Sequence, residues 1–350
     1  MTLPPKQTHH THTLAERVVP FSTIDGHTCN VVNVRGDREA TRGPVLLVHG
    51  AGVRSNIFRA PTATNFVDYL LDAGYDVWLE NWRGSIDFAP NEWTLDDVAL
   101  RDHPRAVETV VSETGSDTIK AVVHCQGSTS FFMSAIAGLI PQVSTIVSNA
   151  VSLHTLVPPL ARIKLALATR PVGLLTRYID AQWGNASPGV LAKALTAYVR
   201  ATHRECDNTV CGYSSFIYGT GHPTLWSHAN LDAATHEWVK EEFGFCPVSF
   251  FRQMQCCVAR GNLVRYTSTP DLPDDFAAYP PNTDARIAFF AGSNNVCFLP
   301  ESQIRSYNHF NAYRPGYHSV HIIDGYGHLD MFMGQHAARD VFPHMLAALQ

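Results

Sequence analysis

The stretch Val122-Val-His-Cys125-Gln-Gly-Ser128 decides how this chain folds. A run of β-branched residues delivers a cysteine into a tight turn, and a glycine follows two residues later, where a helical pattern begins. A strand, a sharp turn and a helix in this order present a nucleophile at the edge of a sheet. The helix N-terminus favours a thiolate at Cys125, and the backbone N–H of Gln126 is placed to stabilise an attacked carbonyl oxygen. The stretch predicts a nucleophilic cysteine, and a buried structural cysteine is the alternative.

Strand and helix patterns alternate on both sides of this turn. Short apolar runs predict strands, and apolar residues at helical spacing predict helices between them. This alternation predicts a doubly wound, mostly parallel sheet with helices on both faces. The predicted strands are 45–48, 76–79, 120–123, 144–147, 286–290 and 319–323, and the predicted helices are 62–73, 102–114, a helix from 126, 301–310 and 336–349.

The alternation stops between residues 151 and 283, where helical stretches at 160–168, 190–200 and 233–243 are joined by proline-rich segments. This span is interpreted as a helical lid inserted into the core. The predicted organisation is a flexible lead-in at 1–16, a first part of the core at 17–150, the lid at 151–283 and a second part of the core at 284–350.

Composition excludes several classes of protein. Hydrophobic residues make up 45 % of the 350 residues and charged residues 16 %, which excludes disorder and a coiled coil. The net charge is −5 without a basic block, which argues against nucleic acid or an anionic membrane surface as partner. No apolar run reaches the roughly 18–20 residues of a membrane span. The polar amino end lacks a secretory signal, so a cytoplasmic protein with reduced cysteines is expected.

The sequence predicts neither a metal nor a cofactor. The three histidines at 9, 10 and 12 are interpreted as part of a solvated tail. Cys206 and Cys211 would be half of a zinc site, but Cys256 and Cys257 are adjacent and do not supply the matching pair. No phosphate-binding glycine motif or flavin motif is present.

Two further segments carry residues that a nucleophilic cysteine needs. His49-Gly-Ala-Gly52 follows a strand where a second oxyanion N–H, from Ala51, is expected. Gly50 and Gly52 are candidates for close backbone approach to a substrate. His328 stands on a glycine-flanked loop after the last strand, where a general base belongs; a structural histidine is the alternative.

Asn295 follows the strand at 286–290 and is predicted to complete a cysteine–histidine–asparagine set. Its amide carbonyl would accept the imidazole N–H of His328 and orient the ring. A cysteine–histidine pair is already ionised as thiolate and imidazolium. It therefore depends less than a serine–histidine pair on a carboxylate that neutralises the charged imidazole. Glu301, Asp324 and Asp330 are reserve candidates for this role.

From Gly43 to the end, about 300 residues, the chain resembles an α/β-hydrolase of the lipase/esterase type. It departs from that pattern at Cys125 for serine, Val123 for a small residue and Asn295 for aspartate. The 292–301 segment and Tyr326-Gly-His328 also resemble hydrolase-like regions attached to cholesterol-oxidase-type oxidoreductases. The segments that carry the main resemblance are Leu46-Leu-Val-His49-Gly, Gly74-Tyr-Asp-Val-Trp-Leu, Asn81-Trp-Arg-Gly-Ser85, His124-Cys-Gln-Gly127 and Gly327-His328-Leu-Asp.

The resemblance and the residues together imply acyl chemistry through a Cys125 thioester, with hydrolysis of an ester or thioester as the leading hypothesis. An acyltransferase or cyclase that passes the acyl group to an alcohol, amine or thiol is one alternative. A non-catalytic binding protein with the same fold is another. The aromatic and apolar lid favours a hydrophobic small-molecule acyl substrate, and His222 is a lid candidate for binding it. The sequence does not decide the oligomeric state.

Overall fold

Ten strands alternate with helices in the computed structural model, which describes residues 14–350. Residues 1–13 of the predicted lead-in at 1–16 lie outside the described residues, and the first strand begins at Ala15. The strands are β1 (Ala15–Ser22), β2 (Thr28–Arg35), β3 (Arg42–Val48), β4 (Tyr75–Asn81), β5 (Ile119–His124), β6 (Val143–Asn149), β7 (Tyr178–Asp180), β8 (Phe245–Pro247), β9 (Arg286–Gly292) and β10 (Ser319–Ile323).

Eight of these strands form one sheet in the order β1-β2-β4-β3-β5-β6-β9-β10. The pairs from β4 to β10 are parallel, and β1 and β2 join as antiparallel edge strands. Residues 45–48 of β3 are fully buried, as a strand covered on both faces requires. The predicted doubly wound, mostly parallel sheet is confirmed.

Helices cover both faces of the sheet and fill the connections. The predicted last helix at 336–349 is two helices, because Pro343 starts a new helix after a break at Val341. The helices are α1 (Phe66–Asp72), α2 (Leu95–Asp97), α3 (His103–Thr114), α4 (Cys125–Ile136), α5 (Pro159–Leu175), α6 (Gly189–Thr202), α7 (Thr209–Tyr218), α8 (Ala233–Glu242), α9 (Val248–Arg260), α10 (Pro300–Tyr313), α11 (Asp330–Met333), α12 (Ala337–Asp340) and α13 (Phe342–Leu349).

The segment between β6 and β9 contains helices α5 to α9 and the antiparallel pair β7 and β8. We call residues 151–283 the lid. Its Tyr218, Leu225 and Phe243 line a small cavity together with Cys125, so the lid covers the turn between β5 and α4. Among residues 14–350, no helix combines the length and the apolar character needed to cross a membrane.

Candidate active site

Cys125 lies at the junction of β5 and α4 with a backbone φ of +56°, in the left-handed region. A residue with a side chain is held there only where its surroundings impose the strain. Two glycines make the close packing possible. A Cβ on Gly127 would lie 2.1 Å from the carbonyl oxygen of His49, and a Cβ on Gly50 would lie 2.9 Å from Cβ of Cys125. The turn therefore has the strained geometry of a nucleophile elbow.

The fold brings His328 to Cys125 across about 200 residues of sequence. The Cys125 thiol, a ring nitrogen of His328 and a ring nitrogen of His124 all lie within 4.8 Å of one another. The rings of His124 and His328 have centroids 4.7 Å apart. Nδ2 of Asn149 donates to Nδ1 of His124 at 2.9 Å, and burial beside His328 holds the pKa of His124 well below its usual range. His124 is therefore neutral, and of these two histidines it is His328 that lowers the pKa of the Cys125 thiol.

The loop that carries His328 is fastened to the lid. The backbone N–H of His328 donates to the carbonyl oxygen of Leu225 at 2.7 Å. The buried carboxylate of Asp330 accepts from Nδ2 of Asn230 at 2.7 Å and from the backbone N–H of Ser227 at 3.3 Å. Asp330, a reserve candidate for orienting the ring, thus holds the loop instead.

The surroundings of Cys125 favour its thiolate. Burial opposes ionisation, but the Cys297 thiol, the positive charge of His328 and the backbone N–H of Gln126 together hold the pKa of Cys125 well below that of a free thiol. The pKa of Cys297 is raised by the neighbouring Cys125 and by burial. Cys297 therefore keeps its proton and donates toward Cys125. Sequence reasoning missed Cys297, although it lies two residues after the candidate Asn295.

The two predicted oxyanion residues flank the thiol. Ala51 and Gly50 line a small cavity together with Cys125 and His328. Gln126 presents its N–H to the thiol, and its side chain lines the neighbouring lid cavity.

Gly52 has a different role from the predicted substrate contact. It has a φ of +65°, and a Cβ there would lie 2.1 Å from Oη of Tyr218. Gly52 therefore admits the lid tyrosine, and it does not line the cavity at Cys125.

The structure does not form the predicted hydrogen bond between Asn295 and His328. Oδ1 of Asn295 accepts the backbone N–H of Cys297 at 3.0 Å. Neither ring nitrogen of His328 has a hydrogen-bond partner within the described chain, and Nδ2 of Asn295 has none there either. Asn295 closes a turn that places Cys297 beside Cys125, so the assignment of Asn295 as the orienter is corrected to a positioning role.

His222 does not reach the active site. Its side chain is 68 % exposed, and Nδ1 lies 2.8 Å from Oε1 of Glu205 on the lid surface. The cavities beside Cys125 are lined by other residues. The assignment of His222 to substrate binding is therefore corrected.

Two small apolar lid cavities lie beside the active site. Tyr218 lines both the small cavity at Cys125 and the first lid cavity. The two lid cavities adjoin, because they share Lys164, Leu165, Ile217 and Phe251. Nζ of Lys164 donates to three backbone carbonyls at the end of α7, those of Phe216, Ile217 and Gly219. Most of the other residues that line the two lid cavities are aliphatic or aromatic, which suits an apolar chain.

The sheet order, the elbow and the position of the histidine loop define the α/β-hydrolase fold. Residues 43–182 match the family model described as "alpha/beta hydrolase fold". A thermophilic esterase from Thermogutta terrifontis has a similar structure, with a TM-score of 0.55 and 14 % identity over 95 % of this chain and 100 % of that chain.

Two lipid-ester hydrolases are similar in sequence over part of their length. Gastric triacylglycerol lipase of Rattus norvegicus is 30 % identical over 129 residues, which are 32 % of this chain and 33 % of the lipase. Sterol esterase 2 of Saccharomyces cerevisiae is 27 % identical over 115 residues, which are 29 % of this chain and 21 % of the esterase. The chain thus spans a third or less of the length of these relatives.

Proposed function

We propose that the protein hydrolyses an ester or thioester of a hydrophobic substrate through an acyl thioester on Cys125. The observation that carries the proposal is the strained elbow, at which Cys125 stands within 4.8 Å of a His328 ring nitrogen. A low thiol pKa supplies the nucleophile at neutral pH. Strain, an adjacent base and a lowered pKa on one side chain favour catalysis over a structural cysteine.

The reaction that fits this arrangement has two halves. The Cys125 thiolate attacks the acyl carbon while His328 holds the proton, and the N–H groups of Ala51 and Gln126 stabilise the oxyanion. When the carbon–oxygen or carbon–sulfur bond breaks, His328 passes its proton to the leaving alcohol or thiol. His328 then takes a proton from water as the hydroxide attacks the thioester. The carbon–sulfur bond breaks, the acid leaves, and Cys125 departs as a thiolate beside protonated His328, which restores the starting pair.

The cavities support an apolar acyl group. An acyl chain bound at Cys125 would extend past Tyr218 into the lid cavities, where the lining is aliphatic and aromatic. The similarity to a triacylglycerol lipase and a sterol esterase points to lipid esters. The resemblance to regions attached to cholesterol-oxidase-type oxidoreductases supports the same substrate class. The similarity to a lipase and an esterase favours water as the acceptor.

Intact mass spectrometry after brief incubation with p-nitrophenyl esters and acyl thioesters of several chain lengths tests the proposal. Acid quenching should trap one acyl group per chain, and peptide mapping should place it on Cys125. Cys125→Ala should accumulate no adduct, whereas Cys256→Ala, at an exposed cysteine of α9, should behave like the wild type. Turnover without an adduct, or with an adduct elsewhere, would contradict the thioester mechanism. Release of ester rather than acid when alcohols are present would identify an acyltransferase.

A further inference from the structure

A second cluster of chemically active side chains lies in the lid, apart from the active site. Cys206, Cys211, His228 and His236 each direct one ligand atom into a space where all four atoms lie within 4.8 Å of one another. Two cysteine sulfurs and two imidazole nitrogens are a standard ligand set for structural zinc. We propose that this cluster binds one zinc ion and that the ion holds the lid together.

The geometry of the four side chains fits tetrahedral coordination of one ion. Zn–S and Zn–N bonds of roughly 2.3 and 2.0–2.1 Å place sulfur and nitrogen about 3.6 Å apart across a tetrahedron. Sγ of Cys211 lies 3.4 Å from Nε2 of His228. The His228 and His236 rings stand nearly perpendicular, with centroids 4.9 Å apart. Nε2 of His236 is buried, and it has no hydrogen-bond partner in residues 14–350, so the protein alone leaves it unsatisfied.

Neighbouring groups orient the ligands as in known metal sites. Glu205 lies 3.4 Å from Nδ1 of His228, on the opposite side of the ring from Nε2. A carboxylate in this place fixes the tautomer and leaves Nε2 free to bind a metal. The carboxylate is itself held by the hydroxyl of Thr224 at 2.7 Å. Nε2 of His203 lies 3.0 Å from Sγ of Cys206, where it can donate to a thiolate.

Charge also favours a divalent ion. Two thiolate ligands would neutralise the charge of a divalent ion beside the buried Cys211. A disulfide between the two cysteines would satisfy neither imidazole. Four protein ligands would leave no open position, so the expected role is structural.

The ion would cross-link the part of the lid that contacts the loop of His328. Cys206 precedes α7 and Cys211 lies in its first turn, whereas His228 and His236 lie before and within α8. The connection from α7 to α8 carries Leu225, whose carbonyl accepts the N–H of His328. The ion would therefore fix a segment on which the loop of His328 rests. The sequence lacks a second, suitably spaced cysteine pair, and the fold brings His228 and His236 to Cys206 and Cys211 instead.

Metal analysis of the full-length protein, purified without an affinity tag or chelator, tests the proposal. We expect about one zinc per chain in the wild type and in Cys256→Ala, and a nearly complete loss of zinc in the double variant Cys206→Ala/Cys211→Ala. The histidines at 9, 10 and 12 are retained in every variant, so zinc that persists in the double variant belongs to them and overturns the assignment.

Cobalt substitution avoids any dependence on how the variants fold. Wild-type protein stripped of metal and titrated with Co²⁺ should develop the intense visible bands of a tetrahedral ion and a thiolate charge-transfer band, both reversed by Zn²⁺. A weak octahedral spectrum would overturn the proposal. So would an intact mass two hydrogens lower under non-reducing conditions, with a peptide that links Cys206 to Cys211.

Discussion

At the residue scale, the site depends on one strained backbone position and on the groups that ionise a thiol. Cys125 keeps its positive φ because Gly127 and Gly50 let neighbouring backbone and side-chain atoms approach it closely. A serine in the same place would need a stronger base than a thiolate does. No carboxylate bonds to the ring of His328 in the described part of the chain, which suits a cysteine better than a serine.

The first prediction concerns replacement of this nucleophile. Cys125→Ala should lower turnover of an activated ester by at least ~10³-fold with the fold unchanged, as in other nucleophile deletions. Cys125→Ser should also lose most activity, because His328 lacks a carboxylate to support deprotonation of a hydroxyl. Steady-state kinetics and circular dichroism measure both effects. Near-wild-type turnover in the alanine variant would exclude Cys125 as the nucleophile.

The second prediction follows from the lowered pKa of Cys125. Only the thiolate reacts with iodoacetamide, so a lower pKa moves the onset of labelling to lower pH. The labelling rate of Cys125 should be nearly constant from pH 7 to 9 and fall only in acid. N-acetylcysteine, whose pKa is near 8.5, is the reference, and its rate should rise over the same range. A parallel rise for Cys125 would show that its thiol is not ionised at neutral pH.

At the scale of elements, α5 and α7 shape the lid cavities together. Lys164 of α5 donates to three carbonyls at the end of α7, where the helix leaves its last C=O groups without intrahelical partners. The adjacent Tyr218 lines the cavity at Cys125. This contact links the position of α5 to the active site.

Removal of this contact should destabilise the lid. Lys164→Met would leave buried carbonyls without donors, at a cost of ~1–3 kcal/mol in the free energy of unfolding. Arg162→Met, at an exposed position of the same helix, is the matched control and should be nearly neutral. Chemical denaturation monitored by tryptophan fluorescence measures both variants. Equal stabilities would show that water replaces the ammonium group at no cost.

The lid cavity that is not lined by Tyr218 should set the preference for the length of the acyl chain. Ala168 of α5 lines that cavity, whereas Ala166, two residues earlier, is exposed. Ala168→Phe should fill the space and lower kcat/KM for long-chain esters by about tenfold or more, with little effect on an acetate ester. Ala166→Phe should leave both unchanged. A uniform loss with all chain lengths would mean that the acyl group binds elsewhere.

Local sequence patterns predict the alternating strands and helices. They do not predict contacts between residues that are far apart in the sequence. The strand at 120–123 and its cysteine turn were predictable, because β-branched residues and a following glycine are local features. Cys297 was not, because its importance comes from a turn closed by Asn295. The position of His222 in the lid predicts that it can approach the pocket, but the path of the lid chain takes it to Glu205 at the surface.

At the scale of the whole molecule, buried neutral histidines make the fold sensitive to acid. Burial lowers the pKa of His49 to about 3 and that of His318 to about 4. The pKa of His124 is also lowered, by burial first and by nearby histidines. The unfolded chain, with histidine pKa values near 6.5, binds these protons more readily than the folded one.

Stability should therefore be fully present above pH 6.5 and be lost as the pH falls. Each such histidine should cost roughly 1.4 kcal/mol of unfolding free energy per pH unit between 6.5 and its folded pKa. Urea denaturation from pH 7.5 to 4.5 measures the slope. His318→Gln should reduce the slope, and His336→Gln, at an exposed histidine, should not. Unchanged stability down to pH 4.5 would contradict the buried neutral state.

The two points at which the lid joins the core allow the lid to be replaced as one segment. The lid leaves after β6 and returns at β9, and these two strands are hydrogen-bonded neighbours. Because the two strands are parallel, the lid leaves at the carboxyl end of β6 and re-enters the sheet at the amino end of β9, where Arg286 pairs with Thr145. Recombination could replace the whole insert without rethreading a strand or moving the cysteine turn. We expect chimeras joined at residues 150 and 284 to accept the substrates of the protein that donates the lid. The catalytic residues of the core should keep their positions.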